Sequence, residues 1–556
     1  MQYLVMSRGD NCTHFHSQNQ GQTGLGMCTG PNRMDSWMLT QVMLAGVVTF
    51  LVWHVIKYSR IKGPIVWPVF GTTPQFLWNL PRMHDWTTDM LVKHDGTYTS
   101  IAPKCTCLTA VATCRPENLE YVLKTNFANY PKGRSFTYPS HDLLGQGIFN
   151  TDHDLWKMQR KTASLEFSTR TLRDLMVKAN RSSVGQRLLP VLADVARNRA
   201  PIDFQDLFLR YTFDNICMVG FGVDPGCLAP GLPTVPFAQA FDLATEGTLT
   251  RMVVPEIFWR ITRALGWGME GRLAKAINVL DKFAMDVITE RRKELAMLKT
   301  LNATDYPCDL LSRFMQTTDH EGNPYTDKFL RDVTTNFILA GRDTTAIALS
   351  WFFYLITQHP AVEEKILLEI GEILRSRNHG QDKEAADDDA TRITQEASLS
   401  FEELKQLNYL HAALSESMRL YPSVPIDNKD VTADDFLPDG TFVRKGTRLM
   451  YSIYSMGRMD SIWGKDCMEY KPERWLRKGV FTPESPFKYA VFNAGPRLCL
   501  GKELAYLQMK SVASAILRNY HVKLVPGHKV EYKLSLTLFM KYGLRVTLHP
   551  RVTVAY

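Results

Sequence analysis

At 556 residues, 45% hydrophobic and 22% charged, the chain has a globular composition and enough length for one large core. Its formal charge of +8 is spread without a basic block, which gives no support to a nucleic-acid-binding surface. Ten cysteines at irregular spacing in so long a chain point to reduced thiols rather than a disulfide framework.

Residues 1–35 are polar, rich in Gly, Gln, Asn and Ser, and are expected to be a disordered tail. Ser36 to Ile56 carries no formal charge over about the 20 residues that span a bilayer, and is expected to form a transmembrane helix. Gln41 and His54 speak for a buried core helix instead. Lys57, Arg60 and Lys62 on one flank, with Trp37 and Trp53 near the two ends, decide for the membrane. The basic flank sets a single-pass topology, with everything after residue 57 cytosolic and the tail luminal. Of three N-glycosylation sequons, only Asn11-Cys12-Thr13 then faces the lumen, and those at Asn180 and Asn302 stay unused. Residues 57–71, basic and then rich in Pro and Gly, read as a stiff hinge, and 72–556 as one catalytic domain.

Cys105, Cys107 and Cys114 lie in an apolar, β-rich segment that does not read as a metal site. Beyond residue 115 helical patterns predominate. Trp156 and Arg160 are four apart, hence on one helical face, where an indole N–H and a guanidinium can aim at one acceptor; an ordinary amphipathic helix has the same spacing. Thr248 to Gly268 mixes Trp, Phe and Ile with arginines, equally compatible with a membrane-lying surface and a core-facing helix pair. Phe329 to His359 is one long helical pattern closed by Pro360. In its middle, A-G-R-D-T-T violates the local apolar pattern, as functional sites tend to do. Gly341 can let a flat ligand approach the backbone, the Thr344 hydroxyl can donate to it, and Asp343 can feed protons. The same Asp343 can instead be one half of an ion pair with Arg342.

Residues 377–397 carry an acidic cluster without periodicity and read as a loop insertion. Glu416 and Arg419, three apart on the next helix, can form a bidentate pair, which Arg474 of K-P-E-R-W can complete as a structural cluster. Then comes F-N-A-G-P-R-L-C-L-G, Phe492 to Gly501, running into an apolar-periodic helix. It sets Cys499 at a helix N-terminus, where the dipole and free N–H groups favour thiolate, a soft ligand for iron. Gly495 permits a tight turn, Gly501 the close approach of something flat, Arg497 reaches an anionic group on it, and Phe492 shields the sulfur. Without C-x-x-C or a nearby histidine, zinc has little support. The last alternating run, turning at Lys541 to Gly543, is expected to be a β-hairpin whose tip reaches a substrate pocket.

F-x-x-G-x-R-x-C-x-G fixes five of ten positions and resembles the haem-binding signature of the cytochromes P450, the haem-thiolate monooxygenases. The hinge, W-x-x-x-R, acid-threonine helix, E-x-x-R and final hairpin are similar to that family's hallmarks in the same order. H-D-L-L-G-Q-G-I-F-N, L-Y-P-S-V-P and the cysteine loop with its helix look like the plant fatty-acid omega-hydroxylase branch. One departure is Ile426, followed by Asp427, where that branch often carries an acidic residue directly after S-V-P.

The resemblance implies a mainly α fold with small β-sheets and an N-terminal transmembrane anchor in the endoplasmic reticulum. It implies haem b held through Cys499, with Trp156, Arg160, Gly341, Phe492, Gly495, Arg497 and Gly501 around it, and Asp343 and Thr344 supplying protons for oxygen activation. Candidate walls of the fatty-acid channel are Phe337, Ile338, Val424, Ile426, Leu538 and Phe539. With no flavin or dinucleotide fingerprint in the chain, electrons from NADPH would come through a membrane NADPH-cytochrome P450 reductase, docked on a basic face that includes Lys488 and Lys502. The alternatives are a fatty-acid peroxide isomerase or dehydratase of the same fold, and a membrane haem-binding protein without turnover.

Overall fold

A computed structural model of the chain describes residues 33–103, 109–301, 307, 309–318, 322–380 and 399–551. The tail before Arg33, Asn302, Cys105, Cys107 and residues 381–397 of the expected insertion lie outside the described residues. The chain divides into two compact units, Met1–Arg60 and Ile61–Tyr556.

Among the described residues the first unit forms one helix, α1 (Arg33–Tyr58). Its stretch Trp37–Tyr58 is long and apolar enough to cross a membrane, beginning one residue and ending two residues later than expected. The side chains from Trp37 to Ile56 are exposed apart from His54, whose ring lies between Phe50 and Tyr58 at 6.1 and 4.7 Å. Lys57 reaches back over the Trp53 ring at 4.5 Å, so the basic flank and the aromatic anchor form one patch.

The second unit is mostly helical with small sheets, as expected. Residues 61–71 already belong to it: the Thr99 N–H donates to the Lys62 carbonyl, and Gly63 and Gly71 lie against the backbone of Thr99 and Ile101, where a Cβ would collide. The stiffness read from prolines is therefore reinforced by docking on a sheet. That sheet runs β1 (Thr97–Ser100), β2 (Ala110–Thr113), β4 (Arg448–Ser452), β3 (Ile426–Asp430), with β2 and β4 parallel and the outer pairs antiparallel. A second sheet pairs β5 (Tyr520–Leu524) with β6 (Arg545–Pro550), and Ile202–Asp203 adds to the edge of β6.

The helices that frame the site are α2 (His153–Phe167), α3 (Phe204–Phe221), α4 (Pro236–Val253), α5 (Glu256–Ala264), α6 (Gly268–Thr300), α7 (Asp327–Gln358), α8 (Asn408–Leu420) and α9 (Lys502–Asn519). α7 starts two residues before and ends one before the expected stretch, with the Thr326 side chain capping the Phe329 N–H and Pro360 beyond its end. Its 32 residues at 1.5 Å each give ~48 Å. It is buried nearly all round: Phe353 packs with Phe204 and Phe208 of α3, and Trp351 stacks on Tyr421 at 4.0 Å. Each such aromatic contributes about 1.5–3 kcal/mol by burial.

The C-terminal run departs from expectation. The chain turns at Met540–Gly543, but the strands on either side of that turn do not pair with each other. β6 pairs back with β5, and a separate narrow loop closes at Lys533–Phe539 and Glu531–Lys541. The alternating pattern fitted a hairpin; partners more distant along the chain won because β5 and Ile202–Asp203 offer β6 a ladder on both edges. Asn180, a sequon by sequence, is buried with its side chain accepting from the Tyr211 hydroxyl, which removes it as a glycan site independently of topology.

Candidate active site

Phe492 to Gly501 forms a loop of two short 3₁₀ turns before α9. Gly495 has φ +63°, and a Cβ there would fall 2.0 Å from the Leu123 carbonyl oxygen, so the position demands glycine for both turn and fit. The Cys499 N–H donates to the Phe492 carbonyl at 2.8 Å, which folds the loop back on itself and fixes where the sulfur stands. Phe492 leans on Tyr506 at 5.3 Å, with the Lys502 ammonium 5.8 Å from its ring.

Cys499 is exposed by its accessible surface although protein surrounds it on nearly all sides, as befits a group lining an internal cleft. Burial pushes its thiol pKa up, while the Gly501 N–H, Arg160 and Lys502 pull it down. Burial is the largest of these influences and favours the thiol, whereas a cation at the sulfur would favour thiolate. Cys114, Cys217, Cys227 and Cys467, the other described cysteines, are buried, and burial raises each of them too. Among the described residues no three His, Cys, Asp or Glu side chains assemble a metal cage.

Facing groups come from α2. Trp156 is buried, and the Arg497 guanidinium lies over its ring at 4.4 Å. Arg497 Nη2 donates to the Asp152 carboxylate at 2.7 Å and the Thr151 carbonyl at 2.9 Å, but its buried Nε has no acceptor. Arg160 is partly buried and close enough to Cys499 for their charges to interact; among the described residues no side chain accepts from it. Trp156 and Arg160 do not converge on one protein acceptor.

Sequence reasoning missed a buried polar network behind Arg497. Asp427 accepts from Lys132 at 2.6 Å, Tyr451 at 2.6 Å and Lys429 at 3.2 Å. Burial raises Asp427, but the two lysines overcome it and hold the carboxyl far below the usual range. Burial in turn lowers Lys429 to about 7. Asp152 joins this network to the cysteine loop through the Lys132 and Gly133 N–H groups and Arg497. The available signal was I-D-N-K, a strand with an acid and a base two apart and therefore on one face.

On α7, residues before and after its middle are buried, whereas Leu339, Ala340, Gly341 and Thr344 are partly open. Ala340 and Thr344 stand four apart on one face, and the Thr344 hydroxyl donates to the Ala340 carbonyl at 2.7 Å. Ser423 donates to the Thr344 carbonyl at 2.6 Å and ties the S-V-P loop to this turn. Asp343 is buried and does pair with Arg342, as the structural alternative required: Arg342 Nη1 lies 2.8 Å from Asp343 Oδ1. Even so, burial outweighs the guanidinium and, helped by the Asp242 charge, raises the Asp343 carboxyl to about 6.

Gly341, partly open on this face, also lies close against α3. A Cβ there would lie 2.6 Å from Ile216 Cδ1 and Cγ1, so the missing side chain is used by the close packing of α7 on α3. Gly341→Ala is expected to destabilise the folded chain by about 1–3 kcal/mol through overpacking, with much of the loss recovered in the Ile216→Ala background. Thermal melting of the four variants checks the coupling; equal losses in both backgrounds would refute it.

The six pocket candidates divide. Val424 and Ile426 are partly open. Phe337 lies on the Ala340–Thr344 face, stacked on Phe167 at 5.8 Å, and Phe539 is nearly buried. Ile338 and Leu538 are wholly buried in core clusters and line nothing. Ile338 is turned from the open face by one residue of helix, and Leu538 is fixed by its carbonyl, which accepts from Trp351 Nε1 at 2.8 Å.

Glu416, Arg419 and Arg474 come together as expected. Arg419 Nε and Nη2 lie 2.7 and 2.8 Å from the two Glu416 oxygens, and Arg474 Nε is 3.3 Å from one of them. Trp475 Nε1 donates to the same carboxylate at 2.9 Å, and Arg419 also donates to the carbonyls of Gly457, Cys467 and Glu469. Of the expected docking lysines, Lys488 pairs with Glu484 at 3.2 Å.

Residues 248–268, left open between two readings, are divided by the structure. Thr248 and Arg251 on α4 are buried, whereas α5 buries only Trp259 and exposes Ile257, Phe258 and Ile261, with Leu265 and Trp267 just beyond. Ile65, Val69, Phe70 and Trp78 are exposed apolar residues as well.

The donor set around Cys499 fits a flat, doubly anionic iron macrocycle: one soft ligand without competing metal ligands, and guanidinium groups in excess of the carboxylates that satisfy them. Comparison with known proteins agrees. The sequence profile described as Cytochrome P450 matches residues 61–548. Cytochrome P450 86B1 of Arabidopsis thaliana is 48% identical over 508 residues, 91% of this chain and 89% of that protein. Cytochrome P450 704B1 of the same plant is 41% identical over 529 residues, 92% and 99% of the two chains. Cytochrome P450 CYP94D109 of Paris polyphylla is 44% identical over 448 residues, 79% and 85%. The profile match begins at the first residue of the second compact unit and ends within its last strand, and the chain belongs to the cytochrome P450 family.

Proposed function

We propose that the protein is a membrane-bound haem-thiolate monooxygenase of the endoplasmic reticulum that hydroxylates the terminal methyl of fatty acids. It uses O₂ and electrons passed from NADPH by an NADPH-cytochrome P450 reductase. The observation that carries the reading is the open Ala340–Thr344 face in the middle of an otherwise buried helix, backed by a buried carboxyl at Asp343. The fatty-acid class rests on the motif stretches that resemble the omega-hydroxylase branch.

Bound haem would supply oxygen activation, favoured by electron density from the Cys499 thiolate. Cys499 acts as ligand, and the Phe492 carbonyl and Gly495 turn fix its sulfur. Arg160 and the free Nε of Arg497 hold the anionic edge, with Trp156 supporting Arg497 from below. Thr344 Oγ1 hands on protons at the open face, and Asp343, protonated in appreciable part near its raised pKa, replenishes them. Val424, Ile426 and Phe337 exclude water and orient the chain end. The exposed apolar edge of α5 and the residues near Trp78 are suited to membrane lipid, from which an apolar substrate would enter.

Membranes containing the protein and a reductase, given saturated and hydroxylated fatty acids from medium to very long chain, should yield terminal alcohols by mass spectrometry with NADPH consumed. Conversion of fatty-acid hydroperoxides without NADPH would replace this reading with the isomerase alternative. Turnover at limiting reductase that ignores salt would remove the basic docking face.

A further inference from the structure

Arg342 is flanked by two carboxylates, and the acid–threonine pair explains only one of them. Arg342 Nη1 lies 2.8 Å from Asp343 Oδ1 and 2.6 Å from Asp242 Oδ1. Asp242 stands on α4, a hundred residues earlier in the chain, and belongs to no motif. The guanidinium side chain is 2% exposed and Asp242 is 49% exposed, so the cluster runs from a buried acid to a carboxylate in contact with solvent. We propose that Asp242 is a positioning residue for proton delivery: through Arg342 it fixes where the Asp343 carboxyl stands and how much of the guanidinium charge that carboxyl receives. The proposal rests on the reading of Asp343 as the proton source.

Three observations carry it. First, one nitrogen serves both carboxylates, so the hold of Arg342 on Asp343 is shared by geometry rather than by a second donor. Arg342 cannot pass a proton itself, because guanidinium does not deprotonate in proteins; its influence on Asp343 is placement and charge. Second, Arg342 is held from other sides as well: its carbonyl accepts from Thr212 on α3 at 2.8 Å, and its guanidinium lies 5.6 Å from the Phe241 ring on α4. With backbone and ring fixed, the pull of Asp242 is what chooses the guanidinium position. Third, among the described residues no group donates to the second oxygen of Asp343, which leaves that oxygen to carry the proton.

The charges around Asp343 set the sign. Burial raises it; Arg342 lowers it, Asp242 raises it, and Lys533 from the C-terminal loop lowers it. Burial lowers Arg342, but Asp242 and Asp343 together overcome this and keep it above its ordinary value. On α3, the Cys217 thiol facing Arg342 is kept protonated by burial, as is that of Cys227, and Asp214 is raised by burial too. Removing the Asp242 charge therefore gives Asp343 the undivided attraction of Arg342 and makes it a stronger acid, ionised at lower pH.

The test uses the full-length, haem-loaded protein as Asp242→Asn, Asp242→Glu and Asp343→Asn. Two quantities are followed against pH: the share of NADPH electrons reaching hydroxylated product rather than hydrogen peroxide, and the infrared carboxyl band of isotope-labelled aspartate that disappears in Asp343→Asn. Asp242→Asn should move both midpoints down by about one pH unit, as expected for one close charge, and Asp242→Glu should restore them. Folded, spectrally normal Asp242→Asn with both midpoints unmoved overturns the proposal while leaving Asp343 as proton source. Less folded protein with unmoved midpoints in the surviving fraction overturns it equally, since that is a purely structural role. If Asp343→Asn itself changes neither coupling nor any carboxyl band, the proton-source reading falls, and the role of Asp242 with it.

Discussion

Cys499→Ala should give a folded chain that lacks the red-shifted Soret band of carbon monoxide on thiolate-ligated ferrous haem, and that hydroxylates nothing measurable. Loss of groups that merely orient a metal ligand costs roughly 10–100-fold, so loss of the ligand should exceed ~100-fold. Folding should survive because Cys499 is exposed and belongs to none of the core clusters. Cys217→Ala is the control: its thiol is buried in a core cluster, so it should cost stability and leave the band in place. A normal band in folded Cys499→Ala would refute the assignment of the ligand, whatever the remaining activity.

The second large effect is structural. Arg419→Ala should leave little folded protein. It takes from Glu416, at a site with no exposed surface, the nearer of its two guanidinium partners, leaving Arg474 at 3.3 Å, and removes the donor to three backbone carbonyls. Breaking such a pair costs about 3–5 kcal/mol, and each stranded carbonyl adds about 1–3 kcal/mol, against a total stability of about 5–15 kcal/mol. Replacing both charges by apolar residues is often harmless for an isolated buried pair, but not here. The double variant Glu416→Met with Arg419→Met still orphans those carbonyls and the Trp475 indole N–H. Soluble haem-containing protein from the double variant at wild-type levels would show that the pair acts alone.

The cysteine loop was legible because its residue types serve local needs. Gly495 meets a turn and a close approach, and Cys499 follows at fixed spacing. Glu416 and Arg419 were legible because three residues of helix bring two side chains together wherever that helix lies. The same locality left the neighbour of Gly341 unnamed and misled in the C-terminal run. Glycine in a helix signals that something comes close without saying what, and here it is Ile216. Alternation signals a strand without naming its partner, and β6 found β5 rather than the residues across the turn. Ile338 and Leu538 were placed in the pocket by neighbourhood along the chain, whereas one residue on a helix turns a side chain by about 100°.

The sequence alone determined the family, and it singled out Cys499, the Asp343–Thr344 pair and the apolar segment before the hinge. Each is written in short spacings that act through bonds and helix geometry. Only the tertiary structure set burial at Cys499 against the Gly501 N–H, Arg160 and Lys502. It also brought Asp427, Lys132 and Asp152 behind Arg497, and gave Asp343 a distant second carboxylate in Asp242. Charge and burial act through space, and residues a hundred or more apart in the chain become neighbours only once the core has closed.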